Sequence, residues 1–435
     1  MTARASHLPG AACEVLIVGA GPTGLLLAVL LAGRGVDVQL LERRTERSTH
    51  SRAIGLHPPA VAALGQAGLA EVAVAAGEPI RVGRARSRGR DLGALHFARA
   101  WPNRPFVLSL PQSRTEELLE QRLAELAPGV LHRDWEVTAL QQQATGAEVT
   151  ARGPDGEVRW RAQVVVGADG TRSRVRELLG VGTTFRSHPD TYVMGDFSDP
   201  TGSVPGGAGP ARPGRARPGR EHARPGREHA RPGRSREAVI HLEPGGVVES
   251  FPLPGGNRRW VAHTGAAPAS GSADDLAAIV ADRTGERLEV DSNSMISAFS
   301  VRSRLARRTV VGRTVLIGDA AHEISPIGGQ GITLGWLDVL AVAPLLEDTA
   351  RAHTGSSLRE QRAFIEFERD RGRAARLAAK MAQLNMVLGR AAPLPVVRAR
   401  DLLLRLLLGT PARHAMAWVY SMGWARRRAA GPRVR

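Results

Sequence analysis

The chain has 435 residues, 43% of them apolar, enough for two or three domains with proper cores. Cys13 is its only cysteine, which excludes an intramolecular disulfide framework and cysteine-built metal centres and fits a reducing, cytoplasmic setting. The formal charge of +17 invites a nucleic-acid reading, but +7 of it lies in residues 211–236 and +5 in residues 424–435, leaving +5 for everything else. Lys380 is the only lysine, and no aromatic residues interleave the arginine runs as a base-stacking platform requires, so no nucleic-acid partner is expected.

Residues 1–12 read as a disordered leader. The stretch from Val15 to Glu42, VLIVGAGPTGLLLAVLLAGRGVDVQLLE, then reads as strand, tight turn, helix and strand. Val15–Val18 is a short apolar run. Gly19, Gly21 and Gly24 follow in the spacing GxGxxG, and a helix over Leu25–Ala32 can end at Gly33 or Gly35. Val36–Leu41 forms the second strand, with Glu42 at its end. The residue types match a dinucleotide site: Gly19 permits the turn, Gly21 lets backbone approach a pyrophosphate, and Gly24 lets helix pack on strand. The helix start offers unpaired N–H groups and a positive dipole end. Glu42 can accept from a ribose hydroxyl, and its charge repels a 2′-phosphate, so the ADP half of FAD or NAD fits better than NADP. Val15–Gly33 is almost long enough to cross a bilayer. Its glycines and Pro22 interrupt it, however, Glu14 precedes it, and the basic flank of a secretory signal is missing.

Arg52 begins a loop. Pro58–Gly68 reads as a helix, with proline at its start and glycine at its end. Residues 83–104 alternate as strands do and leave the nucleotide domain. Leu110-Pro111-Gln112 enters a helix over Ser113–Ala127, with Ser113-x-x-Glu116 as its capping box. Val130–Gln142 and Ala147–Arg152 suggest strands. In RAQVVVGADGTRSRVRELLG, Val164–Val166 is a buried strand, Gly167-Ala168-Asp169-Gly170 a turn, and Ser173–Leu179 a helix. This is a second strand–turn–helix with a carboxylate at its corner, although Asp-Gly is also an ordinary turn.

Residues 211–236 repeat ARPGR and ARPGREH units. Proline and glycine in every unit forbid a helix and nothing apolar is there to bury, so a solvated, disordered insert spanning 205–236 is expected, whose deletion leaves activity intact. Strands follow at Ala238–Leu242, Val247–Pro252 and Arg259–Thr264, then a helix at Ser272–Thr284. Val290–Val301 returns toward the core before a turn carrying Arg302, Arg304, Arg307 and Arg308. The third corner is RTVLIGDAAHEISPIGGQGITLGWLDVLAVAPLL: a strand at Val315–Ile317, Gly318-Asp319, a short helical turn over Ala320–Ser325 stopped by Pro326, then Gly328-Gly329-Gln330-Gly331 opening a helix over Ile332–Leu346. Such an end can stabilise negative charge on a ligand. Beyond residue 351 the pattern is helical. The apolar run Leu402–Leu408 and the group Met416, Trp418, Tyr420 and Trp424, ahead of Arg426–Arg428, suit core packing or, alternatively, contact with a membrane surface.

The three corners in this order, GAGPTG with Glu42, GADGTRSRVR, and GDAAHEISPIGGQG, resemble the class A FAD-dependent monooxygenases, the aromatic hydroxylase family, over residues 13–350. Phe251–Val261 resembles the substrate-domain strand of that family, and the tail resembles that of its quinone-biosynthesis members. The resemblance implies an α/β fold: a Rossmann-like, glutathione-reductase-type FAD-binding domain (13–82, 105–185 and 301–350), an inserted, mostly antiparallel substrate domain (83–104 and 186–300), and a C-terminal helical region (351–435) with a basic tail. It implies that Gly19, Gly21, Gly24, Glu42 and Arg43 hold the ADP half of FAD, with Glu42 on the ribose. Asp169 and Gly170 would serve the pyrophosphate region and a transient NAD(P)H, and Asp319 the ribityl chain. Arg52 and Gln112 would touch the flavin, and Pro326, Gly329, Gly331 and Ile332 would lie along its ring. The implied reaction is hydroxylation of a phenolic or polyketide-type aromatic: NAD(P)H reduces FAD, O2 adds at C4a, and the hydroperoxide delivers one oxygen. No protein nucleophile or metal is needed. His322 is read as structural, with no partner carboxylate apparent nearby. Thr333 stands where the family often has asparagine, which puts flavin placement in question. A reductase or dehydrogenase on the same fold, such as a prenyl reductase, is the enzymatic alternative, and a basic binding protein with a vestigial nucleotide fold the other. A monomer or homodimer is expected.

Overall fold

The strand Ala12–Val18 lies at the middle of an eight-stranded sheet, paired in parallel with Gly156–Gly167 on one side and Val38–Glu42 on the other. The computed structural model describes residues 10, 12–47, 53–101, 103–199, 236–265, 271–352 and 357–425. Val15, Leu16 and Ile17 are fully buried because both faces of this sheet are covered, which is why the strand reads as a continuous apolar run and does not alternate. Val15 and Ile17 face a core shared with the helices Pro22–Ala32, Gln112–Leu126 and Gly331–Ala352, while Leu16 and Val18 face a second core built around Trp135, Val149 and Trp160. The helix Pro22–Ala32 is buried on every side from Gly24 to Leu31, so it lacks a polar face altogether.

A second eight-stranded sheet runs in the order 322–323, 295–306, 183–198, 257–265, 246–253, 238–243, 82–87, 90–96. All of its pairs are antiparallel except Ala238–Glu243 with Val82–Ser87. One face packs Val193, Phe197, Val248 and Trp260 against Leu276 and Val280 of the helix Ala273–Thr284. The other carries Tyr192, Met194, Val247 and Val261 toward Ile327, Met386, Leu404 and Leu408. This is the expected α/β architecture: a doubly covered sheet with a parallel centre and antiparallel strands at 136–142, 147–153 and 310–311, a mostly antiparallel second sheet, and three C-terminal helices, Arg362–Gly389, Leu394–Gly409 and Ala412–Tyr420.

Several elements differ from expectation. Ala12, assigned to the leader, already pairs with Arg161 in the first strand, while residues 1–9 and 11 lie outside the described residues. Arg52 and the repeat up to residue 235 also lie outside them; Arg236 is described, 3.5 Å from Glu78. The helix expected from Ser113 begins at Gln112, with Pro111 as its N-cap, so the Ser113-x-x-Glu116 box does not form; Glu116 instead accepts from the Gln112 amide at 2.8 Å. The turn expected around Arg302 and Arg304 is strand, which runs unbroken over Met295–Ala306 through position 300/301. The helical turn expected over Ala320–Ser325 is displaced to Gly318–Ala320, and His322–Glu323 instead pairs with Arg304 and Leu305 at the edge of the second sheet. The C-terminal apolar run divides: Leu404 and Leu408 pack inward, whereas Leu402, Leu403 and Leu406 are 56–60% exposed. No helix among the described residues is long and apolar enough to cross a membrane.

Candidate functional site

The three glycine-and-carboxylate corners meet, and glycine is what lets them. Gly19 has φ +103°, and a Cβ placed there would lie 2.6 Å from the Ala168 carbonyl oxygen, so the first corner presses on the backbone of the second. A Cβ on Gly24 would sit 1.9 Å from the Gly19 oxygen, which makes Gly24 the packing glycine and keeps it off the cavity wall. Gly318, at φ +57°, and Gly335 both close on Thr23 of the first helix, with their hypothetical Cβ atoms 2.9 and 2.8 Å from its Oγ1. Backbone bonds complete the junction: Gly19 N–H donates to Leu41 O, Ala168 N–H to Val18 O, and Ile317 N–H to Gly167 O.

Around this junction lies a cavity of about 810 Å³. Of the residues singled out from sequence, Gly19, Gly21, Glu42, Arg43, Gln112, Asp169, Gly170, Asp319, Pro326, Gly329, Gly331 and Ile332 all line it. A Cβ on Gly21 would meet nothing within 4 Å, so the helix start opens directly on the cavity. Neither that helix nor Gly331–Ala352 carries an acidic residue in its first turn, and both therefore present uncompensated N–H groups and positive dipole ends to the space.

The carboxylates behave differently from one another. Glu42 accepts from Ala20 N–H at 2.8 Å and Arg44 N–H at 3.0 Å, so it braces the glycine turn while facing the cavity. Asp169 accepts from Ser173 Oγ at 2.5 Å and Val175 N–H at 3.0 Å, and so shapes its own loop; burial raises its pKa against the pull of these bonds. Asp319 sits deep in the cleft with its side chain exposed to the cavity. No described group donates to its side chain, and burial pushes it up to about 6. A carboxyl with no described donor, beside two helix N-termini in a glycine-lined cleft, suits the hydroxyls and phosphates of a dinucleotide-type ligand.

Two features were not legible in the motifs. His322 does have a carboxylate partner: Asp338, on the next helix, Gly331–Ala352, accepts from its Nε2 at 2.5 Å, from Arg371 Nε at 2.6 Å and from Gly318 N–H at 3.0 Å. Burial works to lower the imidazole, but Asp338 outweighs it and holds the group above its ordinary value, while His322 and Arg371 overcome burial to hold Asp338 down. His322 is thus structural, as expected, and the expectation that it lacks a carboxylate is corrected. Thr333 faces away from the cavity, is fully buried, and accepts from His57 N–H at 3.3 Å. His57 itself lines the cavity, its Nε2 3.0 Å from Gly328 O, and burial drives it down to about 4. It is neutral, and helps hold the Gly328-Gly329 loop.

The model of the FAD binding domain matches residues 12–199 and 227–363. The chain belongs to the FAD-binding domain family. Among members with assigned names, the 6-methylpretetramide 4-monooxygenase of Streptomyces rimosus is 32% identical over 79% of this chain and 57% of its own length. The 12-dehydrotetracycline 5-monooxygenase/anhydrotetracycline 6-monooxygenase of the same species is 35% identical over 75% and 61%. The chain therefore spans about three-fifths of these relatives. A solved anhydrotetracycline hydroxylase from S. rimosus superposes with a TM-score of 0.73 at 29% identity, covering 97% of this chain and 78% of that one. The p-nitrophenol 4-monooxygenase of Pseudomonas putida shares the fold at a TM-score of 0.79 and 21% identity, over 96% and 99%. An FAD-binding family member with this cleft fits FAD: the family match and the open, partnerless Asp319 point to the same group.

Proposed function

We propose that the protein is an NAD(P)H- and O2-dependent flavin monooxygenase that hydroxylates a phenolic or polyketide-type aromatic. The observation that carries the reading is the single cavity joining all three corners to an apolar compartment under the second sheet. FAD, when bound, accepts a hydride from NAD(P)H and activates O2. The overall balance is one ring C–H, one O2, one NAD(P)H and one proton giving ring C–OH, water and NAD(P)+.

In this reading Gly19, Gly21, Glu42 and Arg43 take the ADP half, with the turn of Gly21 supplying backbone N–H groups to the pyrophosphate. Asp319 accepts from hydroxyls of the linker. Gln112 and the backbone at Pro326, Gly329, Gly331 and Ile332 border the ring, where the N-terminus of Gly331–Ala352 favours negative charge. Asp169 acts through its loop, since both of its oxygens are already engaged. The C-terminal helices close the apolar compartment through Leu404, Leu408, Met416 and Tyr420 and exclude water from it. The names of the relatives support the monooxygenase reading over a reductase or dehydrogenase. The deciding experiment measures O2 consumption and NAD(P)H oxidation across a phenol panel. A hydroxylated product in proportion to NAD(P)H is expected; substrate reduction or desaturation without oxygen incorporation overturns the reading.

A further inference from the structure

Glu249 stands in the wall of the apolar compartment with nothing to hold. It lies on the strand Gly246–Leu253, where Val248 and Ser250 point to the sheet's far side while Val247, Glu249 and Phe251 line the cavity. Its cross-strand neighbours are Ile240 and Val261, both apolar and both lining the same space. No described group donates a hydrogen bond or an ion pair to it. The two tyrosines close enough to feel its charge are Tyr192, whose hydroxyl has no hydrogen-bond partner among the described residues, and Tyr420. Burial pushes the carboxyl up to about 7. A carboxyl placed mid-strand in an apolar stripe is costly unless something completes it.

The cations of this wall are already committed. Arg84 is paired with Glu237 at 2.7 Å and with Asp91, and Arg259 binds Asp196 through two nitrogens at 2.7 and 2.8 Å. Arg302 is exposed and three strands away, about 14 Å across the sheet. Among the described residues, the middle of the compartment therefore offers one carboxylate and no unpaired cation.

We propose that Glu249 is the substrate-anchoring residue: it receives the hydrogen bond of a ring hydroxyl, and thereby selects neutral phenolic aromatics against aromatic carboxylates. The inference rests on the monooxygenase reading for the identity of the ligand as substrate. A donor hydroxyl satisfies Glu249 in the low-dielectric wall, whereas a ligand carboxylate meets a like charge there with no counter-ion in reach.

The test is equilibrium dialysis of the FAD-loaded full chain at pH 8 with 1-naphthol and 1-naphthoate, for wild type, Glu249→Gln and Glu249→Leu. Wild type is expected to bind 1-naphthol at least about ten-fold more tightly than 1-naphthoate. Glu249→Leu is expected to weaken 1-naphthol about ten-fold or more, the loss of a charge-assisted bond. Glu249→Gln, nearly isosteric, is expected to keep part of that affinity while the naphthol-to-naphthoate ratio falls at least about five-fold. An unchanged ratio in both variants, a wild-type preference for 1-naphthoate, or no wild-type binding of 1-naphthol overturns the proposal. Flavin content and oxygen-coupled product are read on the same preparations, so that failure of the monooxygenase reading appears there and not in the binding ratio.

Discussion

Replacing Asp338 by Asn removes one negative charge and almost no volume, and its consequence can be worked from the structure. Asp338 is 1% exposed. Its oxygens accept from His322, Arg371 and Gly318 N–H at 2.5, 2.6 and 3.0 Å. Asparagine keeps one carbonyl for three donors and turns its amide toward one of them. Breaking a buried pair by removing one partner costs about 3–5 kcal/mol, because the other charge is left uncompensated. Here His322 can release its proton and Arg371 retains Leu334 O at 3.1 Å, so the lower end, about 3 kcal/mol, is expected. The sign with pH follows from His322. Its folded value is raised, so the ion pair's contribution is full below the unfolded imidazole value and fades as pH rises through the folded one. Urea unfolding of wild type and Asp338→Asn at pH 6 and pH 9 is the assay, with the larger gap expected at pH 6. A loss under about 1 kcal/mol, or a gap that ignores pH, refutes the argument. Because Asp338 also anchors Gly318 N–H beside Asp319, FAD affinity is expected to fall about ten-fold in the same variant.

Other perturbations give equally direct outcomes. Gly24→Ala places a methyl 1.9 Å from a carbonyl oxygen that cannot move without shifting the turn; a loss of about 1–3 kcal/mol is expected on thermal or urea unfolding, together with loss of bound flavin, whereas retention of both contradicts the junction described. His57, driven down to about 4 by burial, makes the folded state lose stability as pH falls from its unfolded value near 6.5 toward 4, by about 3 kcal/mol in total. The variant His57→Gln should show a shallower acid limb in pH-dependent unfolding; an unchanged slope refutes the assignment. Glu249, raised to about 7, costs wild type stability as pH climbs from the ordinary carboxyl range through 7, so Glu249→Gln should match wild type at pH 4 and exceed it by up to about 3 kcal/mol at pH 8. Equal stabilities at pH 8 would show the carboxyl to be solvated or paired.

What the sequence disclosed and what it hid follow from the range of the interactions. Gly19, Gly21, Gly24 and Glu42 act within one strand–turn–helix–strand unit, so their spacing alone states their geometry. The same holds for Ser272, which caps its helix by accepting from Asp275 N–H at 3.1 Å. The partner of His322 was invisible because Asp338 lies on the far side of Pro326 and the glycine loop, and Arg371 on another helix again; only the packing of the two helices brings them together. Ser113 resembled a cap but sits inside a helix that Pro111 starts, since proline's fixed φ suits that entry and the serine pattern is common within helices too. The strand Thr183–Ser198 gave no separate expectation, although Tyr192-Val193-Met194 alternates between the two cores of its sheet. Thr333 marked a departure from the family pattern, and its environment shows the use it serves: a buried hydroxyl that fixes the His57 backbone.

The central claim is that the one cavity lined by Glu42, Asp169 and Asp319 and continuing into the apolar compartment is built for FAD. Titration of flavin-free protein with FAD and, separately, with FMN tests it most directly, with the bound flavin released by denaturation and identified. One equivalent of FAD per chain is expected, with FMN bound far more weakly because it leaves the Glu42 end empty. Protein that stays colourless in excess FAD, or that takes FMN equally well, contradicts the account.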